Sequence, residues 1–262
     1  MKQLIPILLA CILLQGCKEE PKKEPTKEVA TVDTSIVEQT PIKIIPIAHA
    51  TLVLEWNDIT IYIDPVGGAE VFKGQKQPDL ILITDVHGDH LSVETLEALN
   101  TEKAKIIAPQ AVADKLPENF VPQIDALNNG ESKERYGITV EAIPMYNLRE
   151  EALKFHTKGR GNGYILNMGG ERLYFSGDTE DIPEMRALKN IDKAFICMNL
   201  PYTMTEQRAA DAVLEFTPKQ VYPYHYRGNP DVSDVVAFKA LVNAGNQGVE
   251  VVQLDWYPND DF

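Results

Sequence analysis

One stretch, Leu80-Ile81-Leu82-Ile83-Thr84-Asp85-Val86-His87-Gly88-Asp89-His90-Leu91, constrains the fold more than any other part of the chain. Its first five residues are short, mostly aliphatic and uninterrupted, the pattern of a buried strand. The run then breaks into four metal-capable side chains within six positions: Asp85, His87, Asp89 and His90. At period two, Asp85 and His87 fall on one side of the extended backbone. Gly88 is expected to permit a turn that swings Asp89 and His90 in beside them. Ser92 is then a candidate N-cap, with Glu94 in the first turn, for a helix over 92–99. A strand tip crowded with carboxylates and imidazoles suits one or two divalent cations. The competing reading is a polar surface loop. Against it, two of the five histidines in the chain stand three positions apart here, interleaved with two acids.

After Pro41 the pattern is strand after strand. Runs at 42–47, 51–56 and 59–63 are rich in β-branched residues, and Asn57-Asp58 is a hairpin signal. His49 sits between the first two runs, either on the substrate side of a pocket or as a capped histidine in a turn. A strand is expected at 105–108, a helix at 110–115, irregular chain over 116–135, and a strand at 138–143 leading to Asn147. The hairpin 164–168 with 172–175 ends in Ser176-Gly177-Asp178-Thr179. Beyond it come a helix at 182–188, a strand at 193–199, and a loop Asn199 to Met204 that could line a pocket wall. Thr205 is positioned to cap a helix running to Phe216. The strand 220–224 then ends in His225, followed by a helix 233–242 capped by Ser233 and a strand 251–254.

Thr84-Asp85-Val86-His87-Gly88-Asp89-His90 resembles the Thr-His-x-His-x-Asp-His signature of the metallo-β-lactamase-fold hydrolases. Within that superfamily it is most similar to the branch of ascorbate-6-phosphate lactonase and N-acylphosphatidylethanolamine-hydrolysing phospholipase D. His49-Ala50-Thr51, Asp64-Pro65, Gly177-Asp178-Thr179 and His225 match further elements of that family. The resemblance implies an α/β (α+β) chain folded as a four-layer αββα sandwich, with metals at the strand ends between two sheets. It implies Asp85, His87, Asp89, His90, Asn147, Asp178 and His225 as metal ligands, with Asp178 bridging two ions and Asp64 orienting a ligand from behind. Two positions depart from it. Asp85 stands where the family has a histidine, and Asn147 where it has a third one, so the first site is richer in oxygen and could stand empty. Asparagine binds transition metals poorly.

The loop Phe155 to Gly163 bears on that deficit. His156 is read as supplying the absent imidazole or acting on the substrate, with Lys158, Arg160 and Asn162 holding an anionic group. The alternative is a solvated hairpin. The expected cofactor is one or two divalent ions, zinc first, with manganese or iron as substitutes. The reaction implied is attack of a metal-activated water on a small anionic ester, lactone or phosphodiester, with Asp85 or Asp89 orienting that water or carrying its proton. The changes at 85 and 147 motivate a second reading, a non-catalytic lipoprotein that binds a ligand or partner on a degenerate metal site.

The N-terminus is set apart from the fold. Met1-Lys2, the apolar run Ile5 to Leu14 and Leu14-Gln15-Gly16-Cys17 together resemble a lipoprotein leader, 1–16, with lipidation at Cys17. The run is too short to span a bilayer. Residues 17–40 are rich in Lys, Glu, Pro and Thr and read as a disordered tether, leaving 41–262 as the hydrolase domain. The chain is thus expected to be exported and lipid-anchored in the cell envelope, periplasmic or at the outer membrane. Removing Lys2 and no acid takes the formal charge from −14 to −15, which disfavours nucleic acid as a partner. Cys197, within an apolar run, is expected to fill core space.

Overall fold

The computed structural model describes residues 40–258. The leader, Cys17 and all of the tether before Thr40 lie outside the described residues. Two sheets account for the strand-rich pattern. The first contains β1 (Lys43–Ala48), β2 (Thr51–Trp56), β3 (Ile59–Ile63), β4 (Leu80–Leu82), β5 (Lys105–Ala108) and β6 (Ile124–Ala126), in that spatial order. β1 to β3 run antiparallel and β3 to β6 parallel. Asn57, at φ 51, makes the tight turn between β2 and β3 that the Asn-Asp pair signals.

The second sheet contains β7 (Ser132–Arg135), β8 (Ile138–Met145), β9 (Gly161–Met168), β10 (Glu171–Phe175), β11 (Lys193–Ile196), β12 (Gln220–Pro223) and β13 (Glu250–Val251), again in sequence order across the sheet. Its first four strands are antiparallel and the rest parallel, so it repeats the plan of the first sheet. Helices α1 (Val93–Ala98), α2 (Gln110–Ala113), α3 (Pro183–Arg186), α4 (Glu206–Phe216) and α5 (Val235–Gly245) fill the connections.

Strand periodicity explains the layering. Leu52, Leu54, Ile61, Ile63, Leu80 and Leu82 share one buried cluster with Val140, Leu166, Leu173 and Phe175 of the second sheet. Their alternate neighbours Val53, Tyr62, Ile81 and Ile83 turn the other way and pack with Leu96 of α1 and Val112 of α2. On the second sheet Tyr174 meets Phe216 of α4 edge to face, with ring centroids 6.3 Å apart. The result is the four-layer αββα sandwich, with the central strands of the first sheet apolar on both faces. Truncating a core Leu or Ile here to Ala would cost about 2–5 kcal/mol. Cys197 is buried in this core, as expected.

Two expectations need correction. The stretch 116–135 holds a 3-10 turn (Glu118–Gln123) and the strands β6 and β7. They are edge strands whose polar faces carry no hydrophobic alternation to read. The last helix is capped by Asp234, which accepts from Val236 N and Ala237 N at 2.9 Å, while the Ser233 hydroxyl donates to Met198 O. No described helix is long and apolar enough to cross a membrane.

Candidate metal centre

All five histidines of the chain meet where strand ends from both sheets come together. The turn after β4 closes through His90 N and Leu91 N, both bonded to His87 O. Gly88 is not in the left-handed region and has open space where a Cβ would stand, so the expected need for glycine is not met there. Asp85 and His87 do share a side, with His87 Nδ1 2.9 Å from Asp85 Oδ2.

Asp89, His90, Asp178 and His225 each offer a ligand atom, and these atoms lie within 4.8 Å of one another. His90 Nε2 is 3.1 Å from His225 Nε2 and 3.4 Å from Asp178 Oδ2. His225 Nε2 is 3.2 Å from Asp178 Oδ1 and 3.4 Å from Asp89 Oδ2. His90, Asp178 and His225 are buried, and the Asp89 side chain is 44% exposed.

The donor chemistry fits a cation. Asp64 Oδ2 lies 2.7 Å from His90 Nδ1, so that nitrogen donates and Nε2 is the atom turned toward the cluster. Asp64 is itself held by Thr84 N and Thr84 Oγ1. Asp178 Oδ1 is buried and accepts no hydrogen bond among the described residues. Burial pushes the Asp178 carboxyl up, but His225, His90 and His156 outweigh it and hold it well below the usual range. Burial opposes a charge on His90, yet Asp178 and Asp64 raise it well above the ordinary histidine value. Two carboxylates and two imidazoles are a ligand set for zinc or a neighbouring transition metal, which would displace the proton that Asp178 and Asp64 hold on His90.

His49 belongs to the same cluster. Its Nδ1 is 2.7 Å from Tyr257 Oη, its Nε2 3.5 Å from Asp89 Oδ2, and its ring centroid 3.8 Å from that of His225. Burial, then the neighbouring His225, lowers its pKa to about 4, so the ring is neutral at pH 7. His49, Asp64 and His225 all adopt left-handed φ, at 58°, 44° and 47°. Strained backbone of this kind persists where the surroundings over-determine it, as at a functional site.

A second group forms beside the first. Asp85, His87 and His156 bring ligand atoms within 4.8 Å of one another, and His156 Nε2 lies 3.1 Å from Asp178 Oδ2, so Asp178 touches both groups. Arg160 enters it: Nε and Nη2 donate to Asp85 Oδ1 and Oδ2 at 3.0 and 2.7 Å. Burial raises the Asp85 carboxyl, but the bonds from His87 and Arg160 outweigh it and lower the net value.

The expected anion-binding trio does not assemble. Arg160 is spent on Asp85, which also removes Asp85 as a free base. Lys158 turns to Glu184 Oε1 (2.8 Å) and lies over the Tyr146 ring. Asn162 is fully buried, with Nδ2 on Leu127 O and Oδ1 accepting from Asn129. The Asn147 amide nitrogen is likewise committed, to Ala152 O and Tyr202 O, and its Oδ1 has no hydrogen-bond partner among the described residues.

A cavity of about 220 Å³ opens over the cluster, lined by His87, Asp89, Phe155, His156, Asp178, Asn199 and Tyr202. The loop after β11 lines it as expected. Missing from the sequence reading is the strut behind this wall. Arg149 pairs with buried Glu180 at 2.6 Å and donates to Pro201 O, while Glu180 accepts from Leu148 N and Arg149 N. A lone acid after Gly-Asp-Thr carries no pattern that would reveal it. A larger hollow of about 680 Å³ between Leu96 and Gln123 contains no histidine, so volume alone does not locate the site.

The profile of the beta-lactamase superfamily domain matches residues 43–225. A UPF0173 metal-dependent hydrolase of Thermococcus onnurineus is 32% identical over 172 residues, 63% of this chain and 75% of the relative. The crystal structure of a protein of Parabacteroides distasonis named a metal-dependent hydrolase is similar at 37% identity, with a TM-score of 0.72 over 81% of this chain and 92% of that one. Igni18, a metallo hydrolase of Ignicoccus hospitalis, shares the fold at 23% identity and a TM-score of 0.69, over 82% and 95% of the two chains.

Proposed function

The chain belongs to the beta-lactamase superfamily, among its UPF0173 metal-dependent hydrolases, and on that premise we propose that it hydrolyses a small ester, lactone or phosphodiester at Asp89, His90, Asp178 and His225. The observation that carries this reading is the buried meeting of His90 Nε2 and His225 Nε2 with the Asp178 carboxylate. A bound divalent ion, zinc first and manganese or iron as substitutes, supplies Lewis-acid polarisation of the scissile group and acidifies a water to a pKa of about 7.

The remaining work falls to side chains. Asp64 keeps His90 Nδ1 protonated, so that Nε2 is the nitrogen that would face the ion. The Asn199 amide, 3.0 Å from His225 Nδ1, orients the second imidazole. Asp89 is the exposed acid of the group and the one placed to orient a water; burial raises its carboxyl, but the bonds from His225 and His49 outweigh it and hold it far below the usual range. His156 lines the cavity and holds Asp178 through Nε2, while its buried Nδ1 has no hydrogen-bond partner among the described residues. Phe155 and Tyr202, edge to face at 5.2 Å, favour an apolar portion next to the scissile bond. With Lys158 and Arg160 both paired, a negative charge on the substrate finds its counter-charge at the metal.

Small lactones, phosphodiesters and acyl esters offered with zinc or manganese test the proposal. Turnover that Asp178→Asn abolishes supports the enzyme. The closure of Asp85 by Arg160 favours the second reading, a ligand-binding module, and tight ligand binding without turnover on any metal would establish it. The N-terminal segment, read as a leader with a lipidated Cys17, puts this chemistry in the cell envelope. Labelled palmitate should enter the full chain and not Cys17→Ala; equal labelling of both removes the anchor.

A further inference from the structure

Asp85 is fully buried, and both of its oxygens are occupied by one guanidinium in a side-on, two-point contact. The same Nη2 that reaches Asp85 Oδ2 also donates to Phe155 O at 2.6 Å and lies 3.3 Å from His87 Nε2. His87 Nδ1 already faces Asp85, so Nε2 is the lone pair that this imidazole has to offer. Thus, of the three residues in the second group, two present their ligand atoms to an arginine. A divalent ion entering there would have to evict a positive charge from a buried carboxylate.

The contact is built by the fold. Asn162 N donates to Thr84 O at 2.9 Å, which ties the start of β9 to the residue before Asp85. Gly161, between them, has room for no side chain: a Cβ would stand 2.9 Å from Thr84 O. Asn162 is locked in turn by Leu127 O and Asn129. Arg160 therefore leaves a backbone fixed against the strand tip that carries its partner. Asn147, at the end of β8, has only an amide oxygen left to give, because its nitrogen is taken by two carbonyls.

We propose that this chain holds a single divalent ion, at Asp89, His90, Asp178 and His225, and that the Arg160 guanidinium on Asp85 and His87 occupies the place a second ion would take. The proposal rests on the metal assignment of the preceding section and adds the stoichiometry.

The test is metal stoichiometry of the full chain, stripped with chelator and reloaded with zinc or with manganese, read by elemental analysis after removal of free ion. One equivalent is expected in the unmodified protein and in Asp85→Asn, since Asp85 is not a ligand. Two are expected in Arg160→Gln, which frees a buried carboxylate and an imidazole, and one again in the double variant Arg160→Gln with Asp85→Asn. Two equivalents in the unmodified protein, falling to one in Asp85→Asn, overturn the proposal. So does a single equivalent in Arg160→Gln. Should Arg160→Gln fail to fold, the comparison of unmodified protein with Asp85→Asn still decides. No metal at all in the unmodified protein defeats the metal assignment itself, a result distinct from two.

Discussion

His90 Nε2 and His225 Nε2 lie 3.1 Å apart although 135 residues separate them in sequence. One follows β4 of the first sheet and the other β12 of the second. The two sheets thus meet at a pair of imidazole nitrogens backed by the Asp178 carboxylate. Apolar packing between the sheets supplies the stability that lets these polar groups stay together. The cluster is stable only with a cation, proton or metal, among its members.

Asp64 holds His90 through Nδ1, and on the proposed assignment its effect on a bound ion runs through that ring. Replacing it by asparagine keeps the shape and removes the acceptor that fixes the His90 tautomer. Asp64→Asn is expected to weaken zinc binding about 10–100-fold, measured by competition with a chelating dye, with far-UV circular dichroism unchanged. Equal affinity in both proteins would show that Asp64 only shapes the turn.

Metal uptake is expected to release protons. Between Asp178 and Asp64 the metal-free His90 is held well above its usual pKa, so at neutral pH its ring carries a proton that a metal must displace. Apparent affinity should therefore rise as pH rises and fall about tenfold per unit on the acid side. Calorimetric titration with zinc in buffers of different ionisation enthalpy counts the protons. Affinity flat across the neutral range and buffer-independent heats would contradict this.

The convergence of the candidate ligands is legible because each ends a hydrophobic run that reads as a strand: His87 to His90 after β4, Asp178 after β10, His225 after β12. The destination of Arg160 is not. It lies 75 residues from Asp85, in a loop whose glycines and cations look equally like a free anion clamp. Lys158, on Glu184, and Asn162, inside the core, were misread for the same reason: local composition does not say which way a loop side chain turns. The left-handed backbone at His49 and His225 was also hidden, because it is imposed by partners such as Trp256 O and His49 O.

Cys197 offers a pH test away from the metal. Burial pushes its thiol up to about 12 from an ordinary value of 9.0. The folded state binds this proton more tightly than the unfolded one, so its contribution is intact below pH 9 and is lost as pH climbs toward 12. The full loss is about 4 kcal/mol. Denaturant midpoints of Cys197→Ala should fall less steeply over that window than those of the unmodified protein. Parallel slopes, or native-state reaction with Ellman's reagent at pH 8 that releases more thiolate from the unmodified protein than from Cys197→Ala, would show the thiol to be accessible.

The measurement closest to the central claim is the metal content of His90→Ala and His225→Ala beside the unmodified protein, each purified folded and reloaded with zinc. Bound metal in the unmodified protein and its loss in both variants is the predicted result. Full occupancy surviving both substitutions would contradict it.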